Sequence, residues 1–185
     1  MTAVTLGVIA DTHIPDRIPT LPPAALDVFA KHQVSAILHA GDISMRRVLT
    51  ELEDIAPVFA VRGNTDILLV GQLPWKRRLE FEGVLIGMAH GHGNWLKYIP
   101  NRIDYYIHGP KKFSYYEETA QRQLPGCQVV VFGHNHVPAN YWHEGQLIFN
   151  PGSATRPNPV VPSLPPSVGL LHLDQGNVQG EIVFI

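Results

Sequence analysis

The feature that most constrains this chain is a repeated pattern, in which a short apolar run is followed within three residues by aspartate, asparagine or histidine. The pattern occurs five times, and the runs end at Ala10, Ala40, Val61, Ala89 and Phe132. Short continuous apolar runs are typical of strands covered on both faces, as in parallel sheets between helices. Ligands bind beyond the carboxyl ends of such strands. The pattern therefore predicts one polar site built from distant parts of the chain.

The first third of the chain alternates predicted strands and helices. The strands are residues 4–10, 34–40 and 58–61. Pro22-Pro23 opens the first helix, which has Leu26, Phe29 and Ala30 on one face. Ser44 can cap the second helix, which ends before Pro57. Strand-helix-strand-helix-strand predicts a parallel sheet with helical crossovers.

The rest of the chain predicts hairpins, a further strand and one helix. The hairpins turn at 82–83, 144–145 and 174–177. Residues 129–132 form the buried strand, and a helix over 114–124 precedes it. Residues 93–113, rich in aromatic and basic side chains, predict a long irregular loop. Such a loop could be a lid or substrate wall, or its aromatics could attach it to the core. Two layers of mixed sheet with helices outside are the simplest assembly.

Composition excludes several classes of protein. With 185 residues, 45% hydrophobic and 16% charged, the chain is expected to form a single globular domain over 1–185. No apolar run approaches the roughly 20 residues of a membrane-spanning helix, and the N-terminus lacks signal-peptide features. A net charge of −2 argues against a nucleic-acid or membrane surface. A single cysteine, Cys127, excludes an internal disulfide, favours a buried inert thiol and indicates the cytoplasm.

The residues at the strand ends are of the kinds that bind metal ions. They are Asp11, His13, Asp42, Asn64, His90, His134 and His136. Any one of them could merely cap a strand, but all seven share one side of the predicted sheet. Seven ligands exceed what one tetrahedral zinc ion takes, and they fit two cations that share a carboxylate. Such a pair, about 3.5–4 Å apart, can hold the attacking and leaving oxygens of a displacement at phosphorus.

Five sequence blocks carry a family resemblance. They are Asp11-Thr12-His13, Gly41-Asp42, Gly63-Asn64, His90-Gly91-His92 and Gly133-His134-Asn135-His136. In this order they resemble the blocks of the calcineurin-like metallophosphoesterases, over residues 4–153. The length and the Asn150–Ser153 segment resemble the small prokaryotic phosphodiesterase branch, which is also similar to a scaffold subunit of the retromer coat. The resemblance implies a four-layer α/β sandwich, two mixed β-sheets flanked by helices, with a dinuclear metal site at the carboxyl ends of the strands.

The resemblance also implies roles for the seven ligands. Asp11, His13 and His136 would hold the first metal, Asn64, His90 and His134 the second, and Asp42 would bridge them. Manganese is the commonest activating ion in this branch, although nickel, iron, cobalt or zinc could occupy the same ligands. Asp42, Asn64 and His92 are the residues expected to take part in catalysis, and His92 is expected near the phosphate.

One position departs from the phosphatase branches. Those branches have a histidine after the asparagine, thought to protonate the leaving group, whereas this chain has Thr65. Asp66 keeps the acidic residue usual at the next position. The departure argues against a specialised monoesterase.

Other polar residues near the strand ends predict mainly structural roles. His39 is expected to be a buried, hydrogen-bonded residue, and Arg62 is expected to pair with Asp66 or another acid. Asn150–Ser153 predicts a tight turn, or else an anion-binding loop.

The sequence thus predicts a metal-dependent phosphoesterase, in which metal-bound hydroxide hydrolyses small phosphodiesters. The alternative is a catalytically weak scaffold or binding protein on the same fold, although such a protein has no need for an intact ligand set. A nuclease acting on long polymers is disfavoured because no basic face is evident. Cyclic nucleotides, glycerophosphodiesters and other small diesters all fit as substrates, and the sequence does not specify an oligomeric state.

Overall fold

Strands and helices alternate over the first third of the chain in the computed structural model, which describes residues 3–69, 72–93, 95–109, 115–155, 158 and 160–185. The strands are β1 (Val4–Ile9), β2 (Ala36–His39), β3 (Val58–Ala60), β4 (Lys76–Phe81), β5 (Val84–Ala89), β6 (Val129–Val131), β7 (Ala139–His143), β8 (Gln146–Asn150), β9 (Ser167–Asp174) and β10 (Asn177–Phe184). The helices are α1 (Pro23–Lys31), α2 (Arg46–Glu53), α3 (Trp95–His108) and α4 (Tyr115–Gln123), and Ile67–Leu69 form a short 3₁₀ turn.

The strands form two mixed sheets. The first has the order β10-β9-β1-β2-β3, with β1, β2 and β3 parallel and β9 and β10 antiparallel. The second has the order β4-β5-β6-β8-β7, with β5, β6 and β8 parallel and the hairpin partners β4 and β7 at its edges. Five of the parallel strands, β1, β2, β3, β5 and β6, lead directly into the five sequence blocks.

Apolar side chains bury the sheets in three clusters, which define four layers. The first cluster joins α1 and α2 to the first sheet, for example through Phe29, Leu52 and Ile37. The second lies between the two sheets and includes Leu38 and Met88. The third joins the second sheet to α3 and α4 and contains Tyr105, Tyr116, Ala120, Val130 and Ile148. The expected four-layer α/β sandwich is therefore confirmed.

Several local predictions were wrong. Much of the segment predicted as an irregular loop, residues 93–113, is the helix α3, while residues 94 and 110–114 lie outside the described part. In α1, the buried residues are Ala25 and Phe29, whereas Ala30, which was predicted to share a face with Phe29, is exposed. The N-cap of α2 is Met45, without a side-chain cap, so Ser44 does not cap this helix.

Among the described residues, no helix is both long and apolar enough to cross a membrane.

Candidate metal centre

Five loops meet at the carboxyl ends of the parallel strands. The loops after β1 and β2 are joined by two backbone hydrogen bonds, from Asp11 N to Gly41 O (3.0 Å) and from His13 N to Asp42 O (3.0 Å). Gly133 N donates to His90 O (3.2 Å), which joins the loops after β5 and β6. The Asp11 carboxylate also accepts from His134 N at 2.9 Å, so the two sheets are connected directly at the site.

Five of the seven candidate ligands have left-handed backbone conformations. The φ angles are 52° at Asp11, 45° at His13, 56° at Asp42, 77° at His134 and 57° at His136. Left-handed backbone strains a residue that has a Cβ, by about 1 kcal/mol or more each. The hydrogen bonds between loops hold this geometry in place.

The structure brings the candidate ligands into two groups of three. In each group the ligand atoms all lie within 4.8 Å of one another. The first group is Asp11, His13 and His136, with 3.2 Å between the two Nε2 atoms and 3.6 Å from His136 Nε2 to Asp11 Oδ1. The second is Asp42, His90 and His134, with 3.4 Å from His90 Nε2 to Asp42 Oδ2 and 3.2 Å from His90 Nε2 to His134 Nδ1.

Asp42 lies between the two groups. Its Oδ2 is 3.6 Å from His13 Nε2 in the first group and 3.4 Å from His90 Nε2 in the second. Its Oδ1 accepts a hydrogen bond from Thr65 N at 2.9 Å, which fixes the orientation of the carboxylate. The Asp42 carboxylate thus faces both groups at once.

These separations fit metal coordination. With bonds of about 2.0–2.2 Å, neighbouring ligands of a tetrahedral ion lie about 3.3–3.6 Å apart. His90 Nδ1 lies 2.8 Å from the Ala40 carbonyl, to which it can donate, leaving Nε2 free of a proton and able to bind a cation. Asn64 Oδ1 is buried and has no hydrogen-bond partner among the described residues, as expected of an oxygen that awaits a cation.

The charges of the site favour bound cations. Burial raises the pKa of Asp11 to about 7. Burial also acts to raise the pKa of Asp42, but the charges on His90 and His13 and the hydrogen bonds from His90 and Thr65 N together outweigh it and hold that pKa well below its usual range. Burial lowers the pKa of His90, whereas Asp42 and Asp11 outweigh this effect and raise it to about 9. Two buried carboxylates here require a positive partner, a role that metal ions can fill in place of an imidazolium.

A third carboxylate at the centre, that of Asp66, holds two of the loops in place. It is fully buried and accepts backbone hydrogen bonds from Asp42 N (3.0 Å), Ile43 N, Ser44 N and Gly63 N (2.7 Å each). The loop after β3 packs so closely that a Cβ on Gly63 would overlap the Asp42 carboxylate. Glycine is therefore required at this position.

Three further structural predictions are confirmed. His39 is buried and lies 3.2 Å from Thr12 Oγ1 through Nε2, while its Nδ1 accepts from Gly41 N. The segment Asn150–Ser153 is a turn that supports the site, because Asn150 Nδ2 donates to Gly133 O and Ser153 Oγ donates to Asp11 O. Cys127 is a buried free thiol whose pKa is raised by burial.

The predicted pairing of Arg62 was wrong. Asp66 accepts only backbone N–H groups in the described part of the chain, and Arg62 lies instead over the ring of Trp75, with Cζ 4.0 Å from the ring centroid. The buried Nε of Arg62 has no hydrogen-bond partner among the described residues.

His92 lies beside the two groups and belongs to neither. Its ring centroid is 5.5 Å from that of His90 and 6.1 Å from that of His134. Burial, together with the charge on His90, lowers the pKa of His92 to about 4. The buried Nδ1 of His92 has no hydrogen-bond partner among the described residues.

Two clefts open at the centre. The smaller, of about 190 Å³, is lined by His13, Arg17, Asp42, Asn64, Thr65, Arg102, Tyr105, Tyr106, Tyr116, His134, Asn135, His136 and Asn158. The larger, of about 710 Å³, is lined by Trp75, His90, Gly91, His92, Gly93, Tyr115, Glu118, Thr119, Arg122 and Gln123. Sequence reasoning missed Arg17, Asn158 and Trp75, which lie outside the five blocks. It had identified residues 93–113 as a possible substrate wall, and Arg102, Tyr105 and Tyr106 of that range line the smaller cleft from α3.

Known proteins share this fold and much of this sequence. A family model described as the calcineurin-like phosphoesterase superfamily domain matches residues 4–176. A probable metallophosphoesterase of Methanothermobacter thermautotrophicus is 36% identical over 183 residues, 96% of this chain and 91% of that protein. A phosphodiesterase of Methanocaldococcus jannaschii is 26% identical over 80% of this chain and 82% of its own length. The structure of Vps29 complexed with zinc, from Entamoeba histolytica, is 25% identical with a TM-score of 0.72, over 98% of this chain and 99% of that one.

Proposed function

The chain belongs to the calcineurin-like phosphoesterase superfamily, and on that premise we propose that it is a phosphodiesterase that hydrolyses small phosphodiesters with two divalent metal ions. The observation that carries the proposal is the pair of ligand groups that share Asp42. A carboxylate facing two groups, 3.4–3.6 Å from an imidazole nitrogen of each, is the arrangement that a dinuclear centre needs. The phosphodiesterase name of one relative supports the same reaction class.

In this proposal each ligand has a role. Asp11, His13 and His136 hold one ion, Asn64, His90 and His134 hold the other, and Asp42 bridges them. When bound, two such ions polarise the phosphoryl oxygens and lower the pKa of a water molecule to near neutrality. Manganese is our first choice among the candidates, and the zinc in the Vps29 structure makes zinc the second.

The residues around the ligands supply binding and orientation. Asn64 and His92 are the further residues that we place in catalysis, His92 being close enough to the second group to contact a phosphate held there. Thr65 lies at the smaller cleft, and its buried Oγ1 has no hydrogen-bond partner among the described residues. A hydroxyl does not titrate near pH 7, so Thr65 offers no acid for an alkoxide leaving group. This favours diesters with good leaving groups over alkyl monoesters.

We further infer that residues 1–185 act as one domain and that the protein is cytoplasmic. The apolar cluster between the sheets supports the first inference, because it draws residues from both halves of the chain. The single cysteine, Cys127, buried as a free thiol, supports the second.

A scaffold role is the second candidate, and one observation favours it. Ile99, Ile103 and Ile107 recur every four residues on α3 and are 57%, 56% and 69% exposed. An exposed apolar stripe of this kind suits contact with another protein. The likeness to Vps29 points the same way.

Metal counting combined with a rate measurement tests the proposal. The protein, purified without chelator, is assayed for bound metal and for hydrolysis of bis(4-nitrophenyl) phosphate, then stripped and reloaded with manganese. We expect close to two ions per chain, loss of activity on stripping and recovery on reloading. Activity that survives complete metal removal would refute the proposal, and full metal loading without any diester hydrolysis would favour the scaffold role.

A further inference from the structure

The larger cleft begins at the metal centre. His90 lines this cleft, while Asp42 and His134, the other two members of the second ligand group, line the smaller one. A phosphodiester has two ester arms, and when its phosphate is held at this group the two clefts are the spaces that the arms can enter. The larger cleft, with about 710 Å³, has room for the bulkier arm.

An aromatic surface forms one wall of this cleft. Trp75, directly before β4, is 52% exposed although it lies beside a buried site. Arg62 fixes its position in two ways, because the guanidinium carbon lies 4.0 Å from the ring centroid and Arg62 N donates to the carbonyl of the preceding residue, Pro74, at 2.8 Å. The ring centroid of His92 is 5.4 Å away. A fixed, half-exposed indole is suited to stacking against a planar group.

The part of the cleft lining that comes from α4 is polar. Thr119 contributes a hydroxyl and Gln123 an amide, and both line the cleft. Glu118 and Arg122, which pair with each other one turn apart, line it as well. Hydroxyl and amide groups both donate and accept hydrogen bonds, as the edge of a nucleobase does. A planar base in this cleft would be stacked on its face and bonded at its edge.

We propose that the larger cleft binds the nucleoside arm of nucleotide-containing phosphodiesters, with the base stacked on Trp75. This inference rests on the proposed phosphodiesterase function and narrows its substrate class. A glycerol or other aliphatic arm has no flat face and would gain nothing from Trp75. Arg62 is then a positioning residue, because it holds the indole and does not itself reach the base in this arrangement.

Binding of two reaction products to the manganese-loaded protein tests the assignment. The probes are adenosine 5′-monophosphate and glycerol 3-phosphate, measured by calorimetry, which share the phosphate and differ in the arm. We expect the nucleotide to bind more tightly, and Trp75→Ala to weaken its binding by about 10- to 100-fold, the usual effect of losing one base–aromatic stack. Glycerol 3-phosphate binding should not change. Trp142→Ala, at a similarly exposed tryptophan on β7, serves as the control and should change the binding of neither probe.

Several outcomes would overturn the assignment. In the first, Trp75→Ala weakens the binding of both probes equally. In the second, the unaltered protein binds the nucleotide no more tightly than glycerol 3-phosphate. In the third, Trp75→Phe, which keeps a stacking ring, binds the nucleotide as weakly as Trp75→Ala does. Because the readout is binding, it separates the two proposals. Nucleotide binding that depends on Trp75 without any diester hydrolysis would refute the phosphodiesterase function alone. Diester hydrolysis without dependence on Trp75 would refute only the nucleoside site.

Discussion

At the scale of single residues, the position of Asp42 has the clearest chemical consequence. Its carboxylate faces both ligand groups, is held by Thr65 N, and belongs to a loop that Asp66 fixes through backbone N–H groups. Two cations about 4 Å apart repel strongly unless a negative charge lies between them. If Asp42 bridges the two ions as proposed, it is therefore the ligand whose charge matters most.

We predict that Asp42→Asn lowers kcat by about 100-fold or more. This loss should exceed the loss caused by Asn64→Ala or by His13→Ala. The Asp42→Asn substitution should also lower the metal content below one ion per chain, because the neutral amide no longer screens the two cations from each other. Elemental analysis and bis(4-nitrophenyl) phosphate hydrolysis measure the two effects. Asp27→Asn, at an exposed position of α1, is the matched control. An Asp42→Asn protein with both ions and most of its rate would show that Asp42 does not bridge.

Thr65 gives a second prediction at this scale. Because no acid is provided there, the rate should fall steeply as the pKa of the leaving group rises, and a positioned acid is worth about 10²–10⁴-fold. Thr65→His should flatten the plot of log rate against leaving-group pKa if the new ring reaches the leaving oxygen. The alternative donor is His92. A flat plot for the unaltered protein that steepens in His92→Ala would assign the acid to His92.

At the scale of elements, α3 places two adjacent tyrosines at the smaller cleft, one buried and one exposed. Tyr105 is 7% exposed, belongs to the third apolar cluster and accepts a hydrogen bond from Asn158 Nδ2. Tyr106, the next residue, is 50% exposed and lines the smaller cleft. Adjacent residues on one helix therefore offer a matched pair for mutation.

We predict that Tyr105→Ala lowers the free energy of unfolding by about 3 kcal/mol, as expected for loss of a buried aromatic ring. Tyr106→Ala should leave stability within about 0.5 kcal/mol and raise KM for diesters instead. Urea denaturation and steady-state kinetics distinguish the two. A Tyr105→Ala variant of normal stability and raised KM would mean that this ring, too, is part of the substrate wall.

The same helix shows where sequence reasoning reached its limit. Strands β1, β2, β3, β5 and β6 could be predicted because each is a short apolar run with polar residues at its end. Helix α3 could not, because Pro100 lies inside it and three of its isoleucines face solvent, so the periodicity that marks a buried face is inverted. The recurrence of isoleucine at 99, 103 and 107 was the available signal.

The site was predictable in its residues and less so in its geometry. The two groups of ligands follow from the family blocks, whereas the left-handed backbone at His13 or His134 depends on hydrogen bonds between loops from different strands. The stacking of Arg62 on Trp75 likewise brings together the two ends of the connection between β3 and β4, and neither residue lies in a local sequence pattern that predicts this contact.

At the scale of the whole molecule, the buried His39 couples folding to pH. It lies at the end of β2 with no exposed surface, between Thr12 and Gly41. Burial lowers its pKa from 6.5 to about 3, and the charge on His90 adds to this effect. The folded protein therefore excludes a proton that the unfolded chain binds below pH 6.5, so stability is fully present above that pH and is lost as pH falls towards 3.

We predict that, because of this one histidine, the free energy of unfolding falls by about 1.4 kcal/mol for each unit by which the pH is lowered from about 6.5 towards 3. His39→Gln should be less stable at pH 7, because it repacks a buried hydrogen-bonded site, yet its stability should decline less steeply towards acid than that of the unaltered protein. Urea denaturation from pH 7 to pH 4 in the presence of chelator measures both, and the difference between the two proteins isolates His39 from the metal ligands. His32→Gln, at an exposed position after α1, should keep the original slope. Parallel slopes for His39→Gln and the unaltered protein would show that another group carries the acid sensitivity.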